Sequence, residues 1–381
     1  MTEIPKINKT SLKKPKILIA PLDWGLGHAT RCIPVIKELI KNECEVIVAS
    51  EGPQMALLKQ EFPLLRFVPL PGYRLRFGRN KWLTNLRIIF QIPKLLIRIK
   101  RENRWLGRFI AREHPDAVIS DNRYGLYSPS ILTIFITHQL YIRTPLGRAV
   151  EKKLQQINYR YINRFSICWI PDFEKNHTLT GQLAHPEKLP SIALRYLGPL
   201  TRFERISPLP LPLPAPTDIL VLLSGPEPQR TILEKILIKE IRQHQGNAVM
   251  VRGLPGRSDS FSGLPNLLVY NHLPAETLNR LICDSKFVIS RSGYSSVMDI
   301  LSLGKKSILI PTPGQSEQEY LASYLFDQHL VFRAKQEGFS LKNSLDAAGK
   351  FPFADSGEPE RESFSSAITE LMQEIDRRKT G

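Results

Sequence analysis

Apolar residues in this chain gather in short, mostly β-branched runs at 16–20, 45–49, 117–120, 132–136 and 166–170, with helical periodicity between them. That alternation predicts a parallel α/β layer. The pattern then starts again, with runs at 218–223, 248–251, 267–270, 287–290 and 307–310 and helical segments such as 231–244 and 294–303 between them. Two similar sheets are expected, one after the other. Residues 207–216 place proline at nearly every second position, which only an extended, semi-rigid segment accommodates. The expected division is a flexible basic N-terminus (1–14), a first Rossmann-like domain (15–204), a proline-rich linker (205–217), a second Rossmann-like domain (218–357) and a C-terminal helix (358–381).

The composition, 42% hydrophobic and 23% charged over 381 residues, suits a two-domain globular protein and excludes disordered, collagenous and disulfide-scaffold classes. Lys and Arg number 53 against 36 Asp and Glu, and the net charge of +17 favours an anionic partner: a phosphate-bearing substrate, an acidic lipid surface or nucleic acid. Cys32, Cys44, Cys168 and Cys283 are scattered with no metal-ligand or disulfide spacing, as in a reducing compartment. No apolar stretch has signal-peptide or membrane-spanning character, so the expected location is cytoplasmic, soluble or peripheral on the inner face of the membrane.

The window 74–108 changes that picture, with eleven Lys and Arg and a single acid, Glu102, interleaved with Trp82, Phe90, Trp105 and several isoleucines and leucines. Two readings stand. It is an interfacial helix on anionic lipid, or Leu95, Ile99, Leu106 and Ile110 face the core, the cations are a solvated face and Pro93 opens the helix.

The first strand runs into Asp23-Trp24-Gly25-Leu26-Gly27-His28-Ala29-Thr30-Arg31, directly before a helical pattern. Gly25 and Gly27 at such a turn let the backbone approach a ligand, and the helix start supplies free N–H groups. Arg31 stands where a dinucleotide fingerprint needs its third glycine, and no Walker lysine follows. His28 takes a proton near neutral pH, although a lone histidine there also serves as a cap or a packing residue. In the second series, the strand at 287–290 runs into Arg291-Ser292-Gly293, where a helix opens at Ser292 or Gly293. That helix start can direct N–H groups at a diphosphate, with Asp299 inside the helix in reach of a ribose diol. A polar loop, 311–320, carries Gln315, Gln318 and Glu319, and a third turn places Ser224 and Gly225 after the strand at 218–223. All three lie at strand carboxyl ends, where open α/β sheets bind ligands.

The pairing of Gly25-Leu26-Gly27-His28 with Arg291-Ser292-Gly293, Asp299 and the stretch 315–320 resembles the GT-B glycosyltransferases of family 28, typified by the N-acetylglucosaminyltransferase of peptidoglycan lipid-intermediate synthesis. The resemblance spans both domains and is strongest over 271–325. It implies two Rossmann-like domains facing a central cleft, with the acceptor on the first and a UDP-sugar on the second, and no metal. It further implies that Ser292 and Gly293 approach the diphosphate, that Asp299 replaces a glutamate holding the ribose, that Gln318 reads sugar hydroxyls and that Leu273 lies near the uracil. Gly198-Pro199-Leu200-Thr201-Arg202 resembles the family's Gly-Asn-Pro-Val-Arg stretch, with Arg202 shifted by one place. Trp24 and Leu26 depart from the family's glycine-rich loop, and Glu319 replaces a second glutamine. Galactolipid synthases carry similar motifs, and the UDP-N-acetylglucosamine epimerases share the fold, but their acidic and histidine set is not seen here.

These readings predict an inverting hexosyltransferase. UDP charge is met at Ser292 and Gly293, aided by Arg202 or Arg291, and the acceptor is a lipid-linked sugar or glycolipid. The base is His28, with Asp121 in Ser120-Asp121-Asn122-Arg123 and His138 after Thr137 as rivals, and Asn122 lies beside the acceptor. No cofactor and no metal are expected, since no Asp-x-Asp pair occurs. The competing class is a non-enzymatic basic protein on membrane or nucleic acid. No helix-turn-helix, RNA-binding aromatic signature or zinc finger is visible, so nucleic acid is not the expected partner.

Overall fold

The computed structural model describes residues 14–74, 81–175, 177–204, 217–258, 263–355 and 362–380, with the backbone alone over 81–90. The N-terminus to residue 13, the proline-rich stretch 207–216 and the side chains of Trp82 and Phe90 lie outside the described residues.

The chain forms two parallel sheets in succession. The first half contains β1 (Lys16–Pro21), α1 (Gly27–Lys41), β2 (Glu45–Ser50), α2 (Gly52–Glu61), β3 (Arg66–Pro69), α3 (Lys81–Glu113), β4 (Ala117–Asp121), β5 (Leu132–Ile136), α4 (Arg148–Ile162), β6 (Ile167–Ile170) and β7 (Ala193–Tyr196). The second contains β8 (Ile219–Leu222), α5 (Gln229–Ile241), β9 (Ala248–Val251), β10 (Leu267–Tyr270), α6 (Ala275–Asp284), β11 (Phe287–Ser290), α7 (Tyr294–Ser302), β12 (Ser307–Leu309), α8 (Ser316–Asp327), β13 (Phe332–Arg333) and α9 (Leu341–Lys350), and α10 (Glu362–Thr380) follows. The strand orders are β3–β2–β1–β4–β5–β6–β7 and β10–β9–β8–β11–β12–β13. Each reverses direction beside its first strand, at β1/β4 and β8/β11, which opens a crevice at the carboxyl ends of those strands.

Every apolar run expected as a strand is one. Three further strands appear, β3, β7 and β13, each a sheet edge. Two helix starts differ from expectation. α1 begins at Gly27, because Thr30 and Arg31, polar in the sequence, are buried in its first turns. α3 is a 33-residue helix with Pro93 inside it, so proline does not open it. Proline removes one i→i−4 hydrogen bond, and the helix accommodates that loss while Ile99, Leu106 and Phe109 are buried further on.

α10 returns to the first sheet. Its Ala367, Ile368, Leu371 and Ile375 are buried in the same cluster as Ile17, Val35, Ile36 and Val46, and Glu370 takes a 2.8 Å bond from Arg195 at the sheet edge. A helix after the second sheet thus completes the core of the first. Among the described residues no helix is long and apolar enough to cross a membrane. Ile368→Ala, by opening a cavity in that shared core, is expected to cost about 2–4 kcal/mol, read as a lowered unfolding midpoint; an unchanged midpoint would mean that α10 only rests on the surface.

Candidate active site

The two carboxyl edges meet, and the candidate catalytic residues gather at the junction. Asp121 ends β4 fully buried, and α1 places His28 and Arg31 one turn apart facing it. His28 Nδ1 lies 3.2 Å from each Asp121 oxygen and 2.9 Å from Arg31 Nη2. Arg31 pairs with Asp121 through Nη2 and through Nε at 3.3 Å. Among the described residues the hydrogen bonds of His28 all run through Nδ1, which leaves Nε2 as the nitrogen that can take a proton from a substrate.

Burial works against the Asp121 charge, but Arg31 and His28 outweigh it and hold the carboxyl below its ordinary range. Burial and then Asp121 push the Cys32 thiol well up, so it stays a protonated donor, 3.8 Å from Asp121 Oδ2.

His138 has a different position. Arg31 Nη1 reaches its Nδ1 at 2.7 Å, and its Nε2 meets Glu317 Oε1, on the other half of the chain, at 2.7 Å. A guanidinium only donates, so Nδ1 accepts and Nε2–H donates to Glu317. Burial lowers the imidazole pKa despite Glu317, with Arg31 and His28 acting in the same direction. His138 is therefore neutral with both nitrogens occupied, which makes it a link between the two halves instead of a base. Asn122 sits at φ 55°, and among the described residues its buried Oδ1 has no partner, so it offers an acceptor atom beside the cluster.

The facing edge comes from the second sheet. Gly293 caps α7 in extended conformation, and no side chain bonds the helix start. Among the described residues a Cβ on Gly293, Gly225 or Gly25 would meet nothing within 4 Å, so these leave the approach to the three turns open. Gly27 differs: a Cβ there would lie 3.0 Å from Ser295 Oγ, which donates to Gly27 O at 2.7 Å. Gly27 admits the other half of the protein, where the sequence suggested a ligand. Tyr294 completes the contact, stacking on His138 at 4.2 Å and bonding the Pro171 carbonyl.

Several expected donor ligands are committed to their own chain. Ser292 Oγ donates to Gln318 O at 2.8 Å, Gln318 Oε1 accepts from Thr312 N at 2.9 Å, and Glu319 Oε1 accepts from Gly314 N at 3.0 Å, so these side chains shape the loop. Gln315 caps α8. Ser224 and Gly225 follow β8 at the same edge. Arg291, expected to aid the diphosphate directly, is buried and donates to the carbonyls of Ile310, Pro311 and Gln229 and to Gln336. Leu273 is core, packed with Phe203 and Val251, instead of a wall for uracil. Asp299, expected to hold a ribose, is buried against Thr201 and Arg202.

Two residues of the cluster were not anticipated. Arg31 read as a departure from a glycine motif, and its only signal was a cation on the apolar side of α1. Glu317 lay inside the polar loop with nothing to separate it from its neighbours. Among the described residues no three His, Cys, Asp or Glu side chains converge as a metal site.

Residues 259–374 match the profile of the glycosyltransferase family 28 C-terminal domain. An uncharacterized glycosyltransferase of Methanosarcina acetivorans is 26% identical over 82% of this chain and 84% of its own. The UDP-N-acetylglucosamine–N-acetylmuramyl-(pentapeptide) pyrophosphoryl-undecaprenol N-acetylglucosamine transferase of a Synechococcus strain is 23% identical over 88% of this chain and 84% of its own. Among solved structures, the calicheamicin glycosyltransferase CalG4 superposes with TM-score 0.61 at 12% identity, covering 97% of this chain and all 100% of that one. Acinetobacter baumannii MurG does so with TM-score 0.55 at 15% identity, covering 95% and 100%.

The two facing parallel sheets and these matches make the protein a GT-B glycosyltransferase. Its residues 259–374 resemble the family 28 C-terminal domain.

With Nε2 of His28 as the available nitrogen, His28→Ala is expected to lower turnover about 10²–10⁴-fold while nucleotide affinity stays near wild type. Full activity of His28→Ala beside a folded but inactive Asp121→Asn would transfer the role to Asp121.

Proposed function

We propose that the protein moves a hexosyl group from a UDP-sugar to an acceptor hydroxyl, with inversion and without a metal, and that the acceptor is a lipid-linked sugar or glycolipid at the cytoplasmic face of a membrane. The observation that carries this reading is the uncapped, open start of α7 at Gly293, joined across the junction to the His28–Asp121 pair. In the reaction His28 Nε2 takes the acceptor hydroxyl's proton, and that oxygen attacks the anomeric carbon from the face opposite UDP. The bond from that carbon to the UDP oxygen breaks as the new one forms. Asp121 stabilises the imidazolium, and the N–H groups at the α7 start receive the charge developing on the diphosphate. The Synechococcus relative, whose name carries a UDP-sugar donor and a polyprenyl diphosphate acceptor, supports both choices.

The donor half is tested by heat denaturation. UDP is expected to raise the unfolding temperature equally with and without EDTA, because backbone dipoles meet the phosphate charge; a strict need for Mg²⁺ or Mn²⁺ overturns the metal-free reading.

The acceptor half rests on α3. Ile92, Leu96 and Ile97 are 42%, 39% and 51% exposed among exposed Lys94, Lys100, Arg101 and Arg104. The one acid of this stretch, Glu102, is turned inward to Arg123 at 2.5 Å. Trp105, stacked on Phe109 at 5.2 Å, belongs to the inner face. Each cation near anionic lipid contributes about 1 kcal/mol. The protein is expected to sediment with anionic vesicles at low salt and to be released by high salt. Replacing Arg98, Lys100, Arg101 and Arg104 with Gln should reduce both sedimentation and transfer to a lipid acceptor. A wild type that ignores such vesicles makes a soluble acceptor the better reading.

A further inference from the structure

We propose that Glu317, on the second half of the chain, is a positioning residue for His28 on the first half, acting through His138 and Arg31. The inference rests on the reading of His28 as the base.

Glu317 lies in the first turn of α8, at the end of the polar loop. Burial works against its charge, but His138, with His28 and Arg31 adding to it, outweighs burial and holds the carboxyl below its ordinary range. Ionised, it only accepts. Its neighbours Gln318 and Glu319 accept from backbone N–H groups of their own loop, whereas Glu317 crosses to the other half and accepts from His138 Nε2 at 2.7 Å. That bond decides how the imidazole is turned. Stacking on Tyr294, at 4.2 Å and 19°, fixes the plane of the ring. It does not fix the edge. A half-turn about the Cβ–Cγ bond keeps the plane but exchanges Nδ1 with a ring carbon, so stacking tolerates both orientations and the hydrogen bonds choose between them.

Arg31 depends on that choice. It is 1% exposed, its Nε and Nη2 face Asp121, and its Nη1 reaches His138 Nδ1 at 2.7 Å. With the ring turned over, Nη1 would meet a C–H. A buried cationic donor without an acceptor is costly, so the guanidinium would shift to find one. Asp121 would shift with it, and Asp121 is what His28 Nδ1 bonds, at 3.2 Å from each oxygen. Every link from Glu317 to the base is thus a direct contact between buried or half-buried polar groups. The base is held from the half that carries the polar loop, and its arrangement is complete only with the two halves together.

The test uses the full chain with isotope-labelled histidine and no substrate, read by nitrogen NMR, which reports protonation and hydrogen bonding at each ring nitrogen. Among the eight histidines, the signals of His28 and His138 are identified with His28→Gln and His138→Gln. Glu317→Ala is expected to shift the ring signals of both. Glu317→Gln, whose amide oxygen still accepts from Nε2–H, is expected to leave both near wild type. Signals of His28 that stay in place in Glu317→Ala overturn the inference, as does a Glu317→Gln variant displaced as far as Glu317→Ala. If Glu317→Ala does not fold, Glu317→Met, of similar length without a carboxylate, takes its place. Turnover is read as UDP release from UDP-glucose, UDP-galactose and UDP-N-acetylglucosamine supplied with a membrane lipid extract. A misplaced catalytic group costs about 10²-fold, so Glu317→Ala is expected to lower kcat by about that factor with the donor KM unchanged. In a His28→Ala background it is expected to add nothing, because the two residues act as one unit. A full further loss in that background overturns the positioning role. Shifted His28 signals beside wild-type turnover of His28→Ala overturn instead the reading of His28 as the base, and leave the link across the junction standing.

Discussion

The ion pair between Arg31 and Asp121 is the interaction on which the rest of the junction depends. Both side chains are almost wholly removed from water, at 1% and 0% exposure. Burying two charges costs several kcal/mol per ion, and only close pairing together with saturation of the remaining polar atoms offsets it. Here Asp121 also receives His28 and Cys32, while Arg31 also donates to His138. The pair joins α1 to the end of β4, so it sets the rotation of α1 about its axis and with it the direction of His28, three residues earlier. Through His138 and Glu317 the same guanidinium is linked to the polar loop of the second half. Breaking it from either side would leave an uncompensated buried charge.

Most of the fold was legible because parallel strands covered on both faces read as unbroken apolar runs. All the strands with two neighbours were found, and the misses are confined to β3, β7 and β13. These end their sheets, and their residues are largely half-exposed or exposed: the burial of Arg66–Pro69, Ala193–Tyr196 and Phe332–Arg333 runs from exposed to intermediate, with Val68 the buried exception. An edge strand this short has too few buried positions to produce a run. The start of α3 was misread for a different reason. Proline is best tolerated in a first turn, but packing of the later turns stabilises a helix that continues on both sides of Pro93.

At the site, strand ends could be located, and with them His28, Asp121, His138, Ser292 and Gly293. Side-chain commitments could not. Whether a glycine opens toward ligand or toward protein depends on what stands opposite, and only the second half of the chain reveals that Gly27 meets Ser295. Asp299 and Arg202 are 97 positions apart, and no local pattern tells that they use each other.

Two of the buried arginines, Arg31 and Arg291, lie in opposite halves and are compensated differently. Arg31 faces a full carboxylate, which in the proposed reaction suits a neutral acceptor hydroxyl at His28 that must lose a proton. Arg291 lies equally deep, at 1% exposure, but its hydrogen bonds among the described residues end on three backbone carbonyls and the Gln336 amide oxygen. Burial lowers its pKa to about 10, which still leaves it charged at neutral pH. Carbonyl dipoles meet its Nη groups, but not its Nε, and they do not cancel its charge. That charge sits beside Ser292 and Gly293, at the positive end of the α7 dipole, where low local dielectric lengthens its reach. In the proposed transfer, a cation compensated by dipoles favours an anion beside Ser292 and Gly293, while a cation compensated by a carboxylate orders His28 on the other side. The proposed reaction needs that asymmetry, because in it the leaving diphosphate gains charge in the same step in which the acceptor loses its proton.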